Sequence, residues 1–313
     1  MLRTLTRRLF GGLGSPENRL RKAVLIACDV DGTLLNRDEM IGTRTADLIE
    51  RVVAHGVRFV LITRRHHQAT EMYADELRMR EPVISLDGAL VRHLHGDILF
   101  TMPFDQEFAL DILDEAAGNG KVACCAVTPE ALLLSEPDVV LPSHYQHWNI
   151  ETSVTDDFAR AAGDILEVVV TGGFYAVNQV FDYVKTKMKA GELKVKLYES
   201  YSRPGSWHLE VRDARANKHR ALERLIARDH ISMDQVIGIG DHYNDLEFCR
   251  AAGYVAVPQN AVRDMKELAD FVTVRDCLDE GINEFLEHFL AARGADTGGP
   301  GVILVRSGRQ RSR

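Results

Sequence analysis

The chain of 313 residues is 45% apolar and 27% charged, enough for a sizeable core and for two domains or one domain with a large insertion. Its formal net charge of −8 argues against broad binding to nucleic acid or to anionic membranes. Five cysteines without a CxxC spacing indicate reduced thiols that act as small core residues, so we predict a cytoplasmic protein.

Both ends of the chain differ in composition from the rest. The first 14 residues, MLRTLTRRLFGGLG, carry arginines and no acids, with leucines at roughly helical spacing. This pattern fits either an organellar transit peptide or a simple basic extension, and its apolar stretch is too short for a membrane span. We favour a flexible extension over residues 1–20, and we predict a disordered tail over residues 294–313, which are rich in Gly and Arg.

From residue 23 onward, apolar runs alternate with amphipathic helical patterns. The order is a strand (AVLIACDV), a helix (TRTADLIERVVAHG), a strand (VRFVLI), a helix (HQATEMYADELRM) with Thr63 as its N-cap, and a strand (PVISL). Continuous apolar strands separated by such helices predict a parallel sheet that is covered on both faces.

The pattern changes near residue 88. The stretch GALVRHLHGDILFTM is typical of a β-hairpin, and mixed helices and strands follow it. The first alternation returns from Asn217 onward. We therefore predict an α/β fold: a doubly wound, Rossmann-like parallel-sheet core over residues 21–88 and 212–293, with an inserted α+β cap over residues 89–211.

A short polar group follows each predicted core strand. These groups are Asp29 and Asp31, then Thr63 and Arg64, then Asp87 and Gly88, and then residues 240–245 (GDHYND). Because ligand sites in open parallel sheets lie beyond the carboxyl ends of the strands, we expect the groups to face one crevice. Several carboxylates in one crevice favour a hard divalent cation such as Mg²⁺, which prefers oxygen ligands and commonly works beside phosphate.

These motifs, in this order, resemble those of a known enzyme superfamily. DVDGTLL, LIT followed by arginines, Lys218 opening a helix, and GDHYND are similar to the four motifs of the haloacid dehalogenase superfamily. NKHRAL and GIGDHYNDLEFCRAAGYVAVPQNA, with the insert between the second and third motifs, resemble the Cof-type phosphatases with the larger α/β cap. The likeness runs from about residue 23 to about residue 290.

The resemblance implies a two-step phosphoryl transfer. Asp29 would attack phosphorus to form an aspartyl-phosphate, and Asp31 would protonate the leaving alcohol and later activate water. Mg²⁺ would be held by the Asp29 carboxylate, the Asp31 main-chain carbonyl and Asp241. Asp245 would lie one shell further out, where it orients Lys218 or a metal-bound water.

A bound phosphate needs hydrogen-bond donors around its oxygens, and the resemblance places several of them at the same crevice. The predicted substrate- and phosphate-binding residues are Gly32, Thr33, Thr63, Arg64, Asp87, Gly88 and Asn244. Lys218 would add an ammonium group. A helix beginning at Thr63 would add the partial positive charge of its N-terminus.

Three residues depart from the family pattern. Arg64 stands where the second motif normally has glycine, Asp87 replaces the usual asparagine, and His219 replaces the glycine after the motif lysine. None of them removes the nucleophile, the acid or a metal ligand, so they bear on the choice of substrate. Arg64 could add a phosphate or carboxylate contact, and Asp87 could favour a cationic or hydroxyl-bearing group.

Two further groups have an ordinary structural interpretation. His66 and His67 resemble metal ligands, but adjacent side chains on a helix diverge, so we place them at the surface or the pocket rim. In the cap, SHYQHW at residues 143–148 and the stretch 201–208 could line the substrate pocket or could form surface loops.

The sequence therefore predicts a Mg²⁺-dependent phosphatase of small phosphorylated metabolites, such as sugar phosphates or phosphorylated cofactors, with no nucleic-acid or membrane partner. The cap would close over the crevice and supply specificity. Two alternatives stay open. One is a phosphomutase or phosphotransferase, in which a second hydroxyl replaces water, and the other is a non-catalytic phosphate-sensing module, which Arg64 and Asp87 motivate.

Overall fold

The computed structural model describes residues 15–146, 150–161 and 163–294. Most of the predicted N-terminal extension, almost all of the predicted tail, and part of the SHYQHW segment lie outside the described residues. The described part contains a five-stranded parallel sheet, a three-stranded antiparallel sheet and a six-stranded mixed sheet.

The strands and helices are numbered in chain order. The strands are β1 (Leu25–Cys28), β2 (Arg58–Leu61), β3 (Val83–Ser85), β4 (Leu90–Arg92), β5 (Ile98–Thr101), β6 (Val122–Val127), β7 (Leu132–Leu134), β8 (Thr152–Val154), β9 (Glu167–Gly172), β10 (Leu193–Glu199), β11 (Trp207–Asp213), β12 (Val236–Ile239), β13 (Tyr254–Val257) and β14 (Phe271–Val272). The helices are α1 (Pro16–Lys22), α2 (Thr43–Ala54), α3 (Gln68–Glu76), α4 (Gln106–Asn119), α5 (Ser143–Gln146), α6 (Phe158–Ala161), α7 (Phe174–Lys187), α8 (Lys218–Ala227), α9 (Leu246–Ala251), α10 (Arg263–Leu268) and α11 (Ile282–Ala292).

Five parallel strands form the core sheet in the order β14-β13-β12-β1-β2. Successive residues of β1 point to opposite faces, so Ile26 and Cys28 pack with α2 and α11, whereas Leu25 and Ala27 pack with α8 and α9. Both faces are therefore buried under helices, as the continuous apolar runs predict. The predicted doubly wound α/β fold is confirmed.

β3 departs from the predicted parallel core. A single parallel bridge joins Ile62 to Ile84, and β3 pairs along its length with β4, which in turn pairs with β5. Val91 and Phe100 of this hairpin pack in the same buried cluster as Ile84. The predicted hairpin is thus present, but it packs with the core although the predicted cap begins at residue 89. The division of the chain into domains stays a prediction.

The insert forms the six-stranded sheet in the order β10-β11-β9-β6-β7-β8. Helices α4 and α7 cover one face of this sheet, around Ile112 and Val180. On the opposite face, Val127 packs with Leu86 and Leu90 of the first unit. This second face therefore meets the core and carries the cap residues of the candidate site.

Residues 16–20 belong to helix α1 and not to a flexible extension. Ser15 caps the helix, Leu20 is buried in a core cluster, and Arg19 forms an ion pair with Asp270 at 2.7 Å. The prediction of flexibility up to residue 20 is therefore wrong for this segment. An apolar side chain and an ion pair hold α1 on the core, which offsets the entropy lost by ordering it.

Two predictions from composition concern buried thiols and membranes. All five cysteines are free and buried, as predicted. In the part of the chain that the structure describes, no helix is both long enough and apolar enough to cross a membrane.

Candidate active site

The centre of the candidate active site is a buried ion cluster of Asp29, Lys218 and Asp245. Asp29 follows β1 directly, and Lys218 is the first residue of α8, whose N-cap Asn217 accepts a hydrogen bond from the N–H of Arg220. The Lys218 ammonium donates to Asp29 Oδ1 at 2.5 Å and to Asp245 Oδ1 at 2.8 Å. One ammonium group thus joins three segments that are far apart in the sequence.

Burial and charge set the ionisation of this cluster. Burial opposes the charged form of Lys218, but nearby carboxylates, above all Asp245 and Asp29, outweigh it and raise the pKa of Lys218. Burial and the charge of Asp245 raise the pKa of Asp29 well above its usual range, although Lys218 lowers it. For the same two reasons, the pKa of Asp241 rises to about 7. The positive charge of Lys218 is therefore not enough to keep the pKa values of Asp29 and Asp241 in their usual range.

The acidic cluster fits a cation that takes oxygen ligands. Ligand atoms of Asp29, Asp241 and Asp245 lie within 4.8 Å of one another. Asp245 already uses both oxygens: Oδ1 accepts from Lys218, and Oδ2 accepts from the N–H groups of Asp241 and His242 at 3.1 Å each. Asp29 and Asp241 are therefore the carboxylates with capacity to bind a metal ion, and Asp245 supports their positions.

The turn after Asp31 is packed tightly against Asp241. Gly32 has φ +74°, and a Cβ at this position would lie 2.5 Å from Asp241 Oδ2. The Thr33 hydroxyl donates to Asp241 Oδ1 at 3.3 Å. Glycine is therefore required at position 32 both for the left-handed conformation and for the close approach of the backbone to the carboxylate.

Asp31 is paired with a residue that was not among the predicted site residues. Its carboxylate accepts hydrogen bonds from Arg65, from Nε at 2.8 Å and from Nη2, and Arg65 also donates to the Tyr73 hydroxyl at 3.1 Å. The predicted site included Arg64 but not Arg65. The sequence TRR (residues 63–65) carries a signal for Arg65. Because side chains of consecutive residues in an extended segment point in different directions, the second arginine can reach a different partner from the first.

Thr63 does not begin a helix. Helix α3 begins at Gln68, and the fully buried Thr63 hydroxyl accepts a hydrogen bond from the N–H of Arg65 at 3.1 Å. The predicted N-cap, and with it the predicted contribution of a helix N-terminus at Thr63, is wrong. A polar turn over residues 63–67 precedes the helix. The hydrogen bond from the N–H of Arg65 to the Thr63 hydroxyl stabilises this turn, so Thr63 does not cap a helix.

His66 and His67 are buried, which corrects their predicted position at the surface or pocket rim. His66 Nε2 lies 2.9 Å from the Thr128 carbonyl oxygen of the cap, and His67 Nδ1 lies 3.3 Å from Ser85 Oγ. Burial lowers the pKa of each histidine to about 4. Both are neutral near pH 7, and His66 joins the core to the insert through its contact with Thr128.

Asp87 links the core to the cap. Its Oδ2 accepts from Arg212 Nη2 at 2.5 Å, and its Oδ1 accepts from Asn244 Nδ2 at 3.0 Å. Burial opposes ionisation of Asp87, but Arg212 and other cations, together with the Asn244 amide, hold its pKa well below its usual range. The adjacent Gly88 has φ +98°, and a Cβ there would lie 2.4 Å from the Asn217 carbonyl oxygen. Arg212 lies on β11 of the six-stranded sheet, although the predicted core resumes at residue 212. The unusual acid at position 87 is thus matched by an arginine of the second unit.

Arg64 also reaches the cap. Its Nη2 donates to Glu210 Oε2, and Glu210 Oε1 accepts from the Tyr198 hydroxyl. The Glu210 side chain is only 4% exposed, so this ion pair lies largely away from water. Arg64, which replaces the glycine of the family motif, therefore contacts a carboxylate of the protein itself.

Glu210 and Arg212 were not predicted from the sequence, but the stretch WHLEVRD contains a signal for them. Leu209 and Val211 pack under the cap helices, so Glu210 and Arg212, which alternate with them, point to the opposite face of β11. The sequence identifies this face as polar. Only the docking of the cap places it over the core.

A second cluster of His144, Glu167 and Glu210 also brings its ligand atoms within 4.8 Å. This cluster already has positive charge, because Arg64 pairs with Glu210 and Arg212 Nη1 lies 3.6 Å from Glu167. Burial and the charge of Arg64 hold the pKa of His144 well below its usual range. The arrangement is therefore an ion network between cap and core.

A cavity of about 890 Å³ opens between the two units, a size that suits a small metabolite. It is lined by Asp29, Asp31, Gly32, Glu39, Arg64, Arg65, Ser143, His144, Lys194, Lys196, Asp241, His242, Tyr243 and Asn244. Six predicted site residues do not line the cavity and are buried: Thr33, Thr63, Asp87, Gly88, Lys218 and Asp245. Ser143 and His144 belong to the predicted SHYQHW segment, whereas no residue of the stretch 201–208, all of it within the described part, lines the cavity.

Comparisons with known proteins identify the family of this chain. A family model described as haloacid dehalogenase-like hydrolase matches residues 26–286. The chain is 24% identical over 285 residues to phosphatase YwpJ of Bacillus subtilis, covering 85% of this chain and 99% of the relative. It is 23% identical over 282 residues to 5-amino-6-(5-phospho-D-ribitylamino)uracil phosphatase YitU of the same organism, covering 86% of this chain and 98% of the relative.

A solved structure shares the fold. The crystal structure of a haloacid dehalogenase-like hydrolase from Bacteroides thetaiotaomicron superposes with a TM-score of 0.73 at 21% identity, covering 85% of this chain and 99% of the other. The chain belongs to the haloacid dehalogenase-like hydrolases. The predicted family, with its Cof-type branch, and the predicted enzyme class, a phosphatase of this hydrolase family, are confirmed.

Proposed function

We propose that this protein is a Mg²⁺-dependent phosphatase that hydrolyses small phosphorylated metabolites through an aspartyl-phosphate on Asp29. The contact between the Lys218 ammonium and Asp29 Oδ1 carries the proposal, because it fixes one carboxylate oxygen and leaves the other for attack on phosphorus. Sugar phosphates and phosphorylated cofactors are the proposed substrates. The name of one relative, 5-amino-6-(5-phospho-D-ribitylamino)uracil phosphatase, gives a small phosphorylated metabolite as its substrate.

A cytoplasmic location and the absence of nucleic-acid and membrane partners belong to the same proposal. The five buried, free cysteines support a reducing compartment. The formal net charge of −8 supports small metabolites over polyanionic partners.

In the first step, a carboxylate oxygen of Asp29 bonds to phosphorus while the bond between phosphorus and the leaving oxygen breaks. Asp31, which lines the cavity, donates its proton to that oxygen, so the alcohol leaves as a neutral molecule. Arg65 holds the Asp31 carboxyl group in place through its Nε contact at 2.8 Å. The backbone N–H group of Gly32 is a proposed donor to the phosphate oxygens.

In the second step, the ionised Asp31 takes a proton from water, and the water oxygen bonds to phosphorus as the bond to Asp29 breaks. Inorganic phosphate leaves, and both aspartates return to their starting states. The Arg65 guanidinium stabilises the ionised form of Asp31 during this half of the cycle. Mg²⁺ held by Asp29 and Asp241 would supply positive charge beside the phosphate and the nucleophile.

Hydrolysis of p-nitrophenyl phosphate by the purified full chain tests this proposal. We expect release of inorganic phosphate with Mg²⁺, loss of activity with EDTA, and recovery when Mg²⁺ is restored in excess. Asp29→Asn should lower kcat by about a thousandfold or more while the chain stays folded. Asp47→Asn, at an exposed position on α2, is the matched control and should leave kcat unchanged.

Two outcomes would contradict the proposal. No turnover of any member of a broad panel of phosphorylated metabolites by the folded, Mg²⁺-loaded protein would favour the phosphate-sensing module. Transfer of the phosphoryl group to a second hydroxyl, with no release of inorganic phosphate, would favour the phosphotransferase.

A further inference from the structure

The cavity has a second charged group on its wall that the proposed chemistry does not use. Lys194 and Lys196 of β10 line the same cavity as Asp29 and Asp241. The residues between and beside them, Leu193, Val195 and Leu197, pack against the apolar cluster under the cap helices. Because strand side chains alternate between the two faces of a sheet, this packing points both lysines towards the cavity.

The two ammonium groups have no anionic partner. Among the described residues, neither lysine makes an ion pair or a side-chain hydrogen bond. In the antiparallel register, Lys196 stands opposite Glu210, but that carboxylate is taken by Arg64 and Tyr198. Both lysines are half-buried, and burial of a charge costs free energy that the attraction of Asp87, which is not in contact with either lysine, offsets only in part.

The neighbours of the two lysines add further positive charge. Lys194 stands directly opposite Arg212, and like charges directly opposite each other destabilise a sheet. Burial, together with the charges of Arg64 and Arg212, lowers the pKa of Lys196 to about 8. This wall of the cavity is thus held in an unfavourable electrostatic state that an anion would relieve.

We propose that the substrate carries a second anionic group besides the phosphoryl group that is removed, and that Lys194 and Lys196 bind it. The inference rests on the proposed phosphatase function, since it assumes that the phosphoryl group binds at Asp29 and Asp241. The shared chemistry is an anionic oxygen group, either a carboxylate or a second phosphate. A cavity of about 890 Å³ has room for a small molecule that carries two charged groups.

Three ligands on one six-carbon chain test the inference: glucitol 6-phosphate, 6-phosphogluconate and glucitol 1,6-bisphosphate. They carry a hydroxyl, a carboxylate and a phosphate at the far end. Calorimetric binding with Mg²⁺ present is measured in Asp29→Asn, which separates binding from turnover. We expect at least one of the doubly anionic ligands to bind about tenfold or more tightly than glucitol 6-phosphate, and the better of the two identifies the anion.

Substitutions then locate the subsite. In the same background, Lys194→Met with Lys196→Met should reduce this preference to about twofold or less, whereas Lys189→Met, which removes one charge from an exposed position of the cap, should keep it. Each single variant is measured as well, in case the double variant does not fold.

Equal affinity for all three ligands would overturn the inference, and this comparison needs no lysine variant. A preference that survives in the folded double variant would also overturn it. Failure of the proposed function is seen separately, as the absence of phosphate release by the wild-type enzyme, and it leaves the binding comparison intact.

Discussion

Lys218 Nζ lies 2.5 Å from Asp29 Oδ1, although the two residues are 189 positions apart in the chain. Both side chains are almost completely buried, and Asp245 shares the ammonium from the other side at 2.8 Å. The relationship joins the start of helix α8 to the end of strand β1. Removal of the lysine would leave two buried carboxylates facing each other without their shared cation.

Lys218→Met should therefore affect both activity and stability. We expect kcat to fall by about a hundredfold or more, because Asp29 loses its fixed orientation. The free energy of unfolding should fall by about 3–5 kcal/mol, as expected when one partner of a buried ion pair is removed. Phosphate release and urea denaturation measure the two effects, with Lys189→Met as the control. Wild-type kcat in a folded Lys218→Met variant would show that the ammonium has no catalytic role.

Gly32→Ala should weaken the response of the enzyme to Mg²⁺. A Cβ at this position meets Asp241 Oδ2 at 2.5 Å, so the carboxylate must move. We expect the Mg²⁺ concentration for half-maximal activity to rise by about tenfold, a shift of about 1.4 kcal/mol in binding. Gly56→Ala is the matched control, since Gly56 has φ +77° but open space around its Cβ position. An equal Mg²⁺ shift in both variants would point to backbone strain alone.

The ion pair between Arg64 and Glu210 should couple the cap to the core. In a double-mutant cycle with Arg64→Met and Glu210→Gln, we expect a coupling free energy of about 1–3 kcal/mol in urea denaturation, because the pair is largely buried. The exposed pair Arg37 and Asp279, at 3.4 Å, provides the control cycle and should show no measurable coupling. Equal coupling in the two cycles would contradict the role of burial.

The stability of the protein should fall in mild acid because of His66 and His67. Their pKa values in the folded state are about 4, below the usual value of 6.5. Between these two values, the unfolded chain binds protons that the folded chain does not. Stability is therefore complete above about pH 6.5 and is lost as the pH falls towards 4, by on the order of a few kcal/mol.

Urea denaturation between pH 7.5 and 4.5 checks this pH dependence. His66→Gln, whose amide can still donate to the Thr128 carbonyl oxygen, should lose less stability on acidification than the wild type. His55→Gln, at an exposed histidine, should follow the wild-type pH profile. An unchanged slope in His66→Gln would exclude the buried histidine as a cause.

Much of the core could be predicted from local patterns. Apolar runs and helical periodicity give a parallel sheet, and the rule that strand ends meet at one edge predicts that Asp29, Asp241 and Asp245 lie together. Details within loops could not be predicted in this way. The turn over residues 63–67 contains residues that also suit a helix, so the predicted N-cap Thr63 lies four residues before the observed N-cap His67, and local patterns do not match Arg65 to Asp31.

The sequence by itself determined the order of the core strands and helices along the chain, because this order depends on periodicity. It also determined which acidic residues follow the strands, and a general property of parallel sheets places such residues at one edge. Only the tertiary structure decided what the polar faces of β10 and β11 meet. Alternation along each strand shows that Lys194 and Lys196 share one face of β10 and that Glu210 and Arg212 share one face of β11. What these faces meet depends on strand register and on how the cap docks. Docking depends on contacts between segments far apart in the chain, which no local pattern encodes.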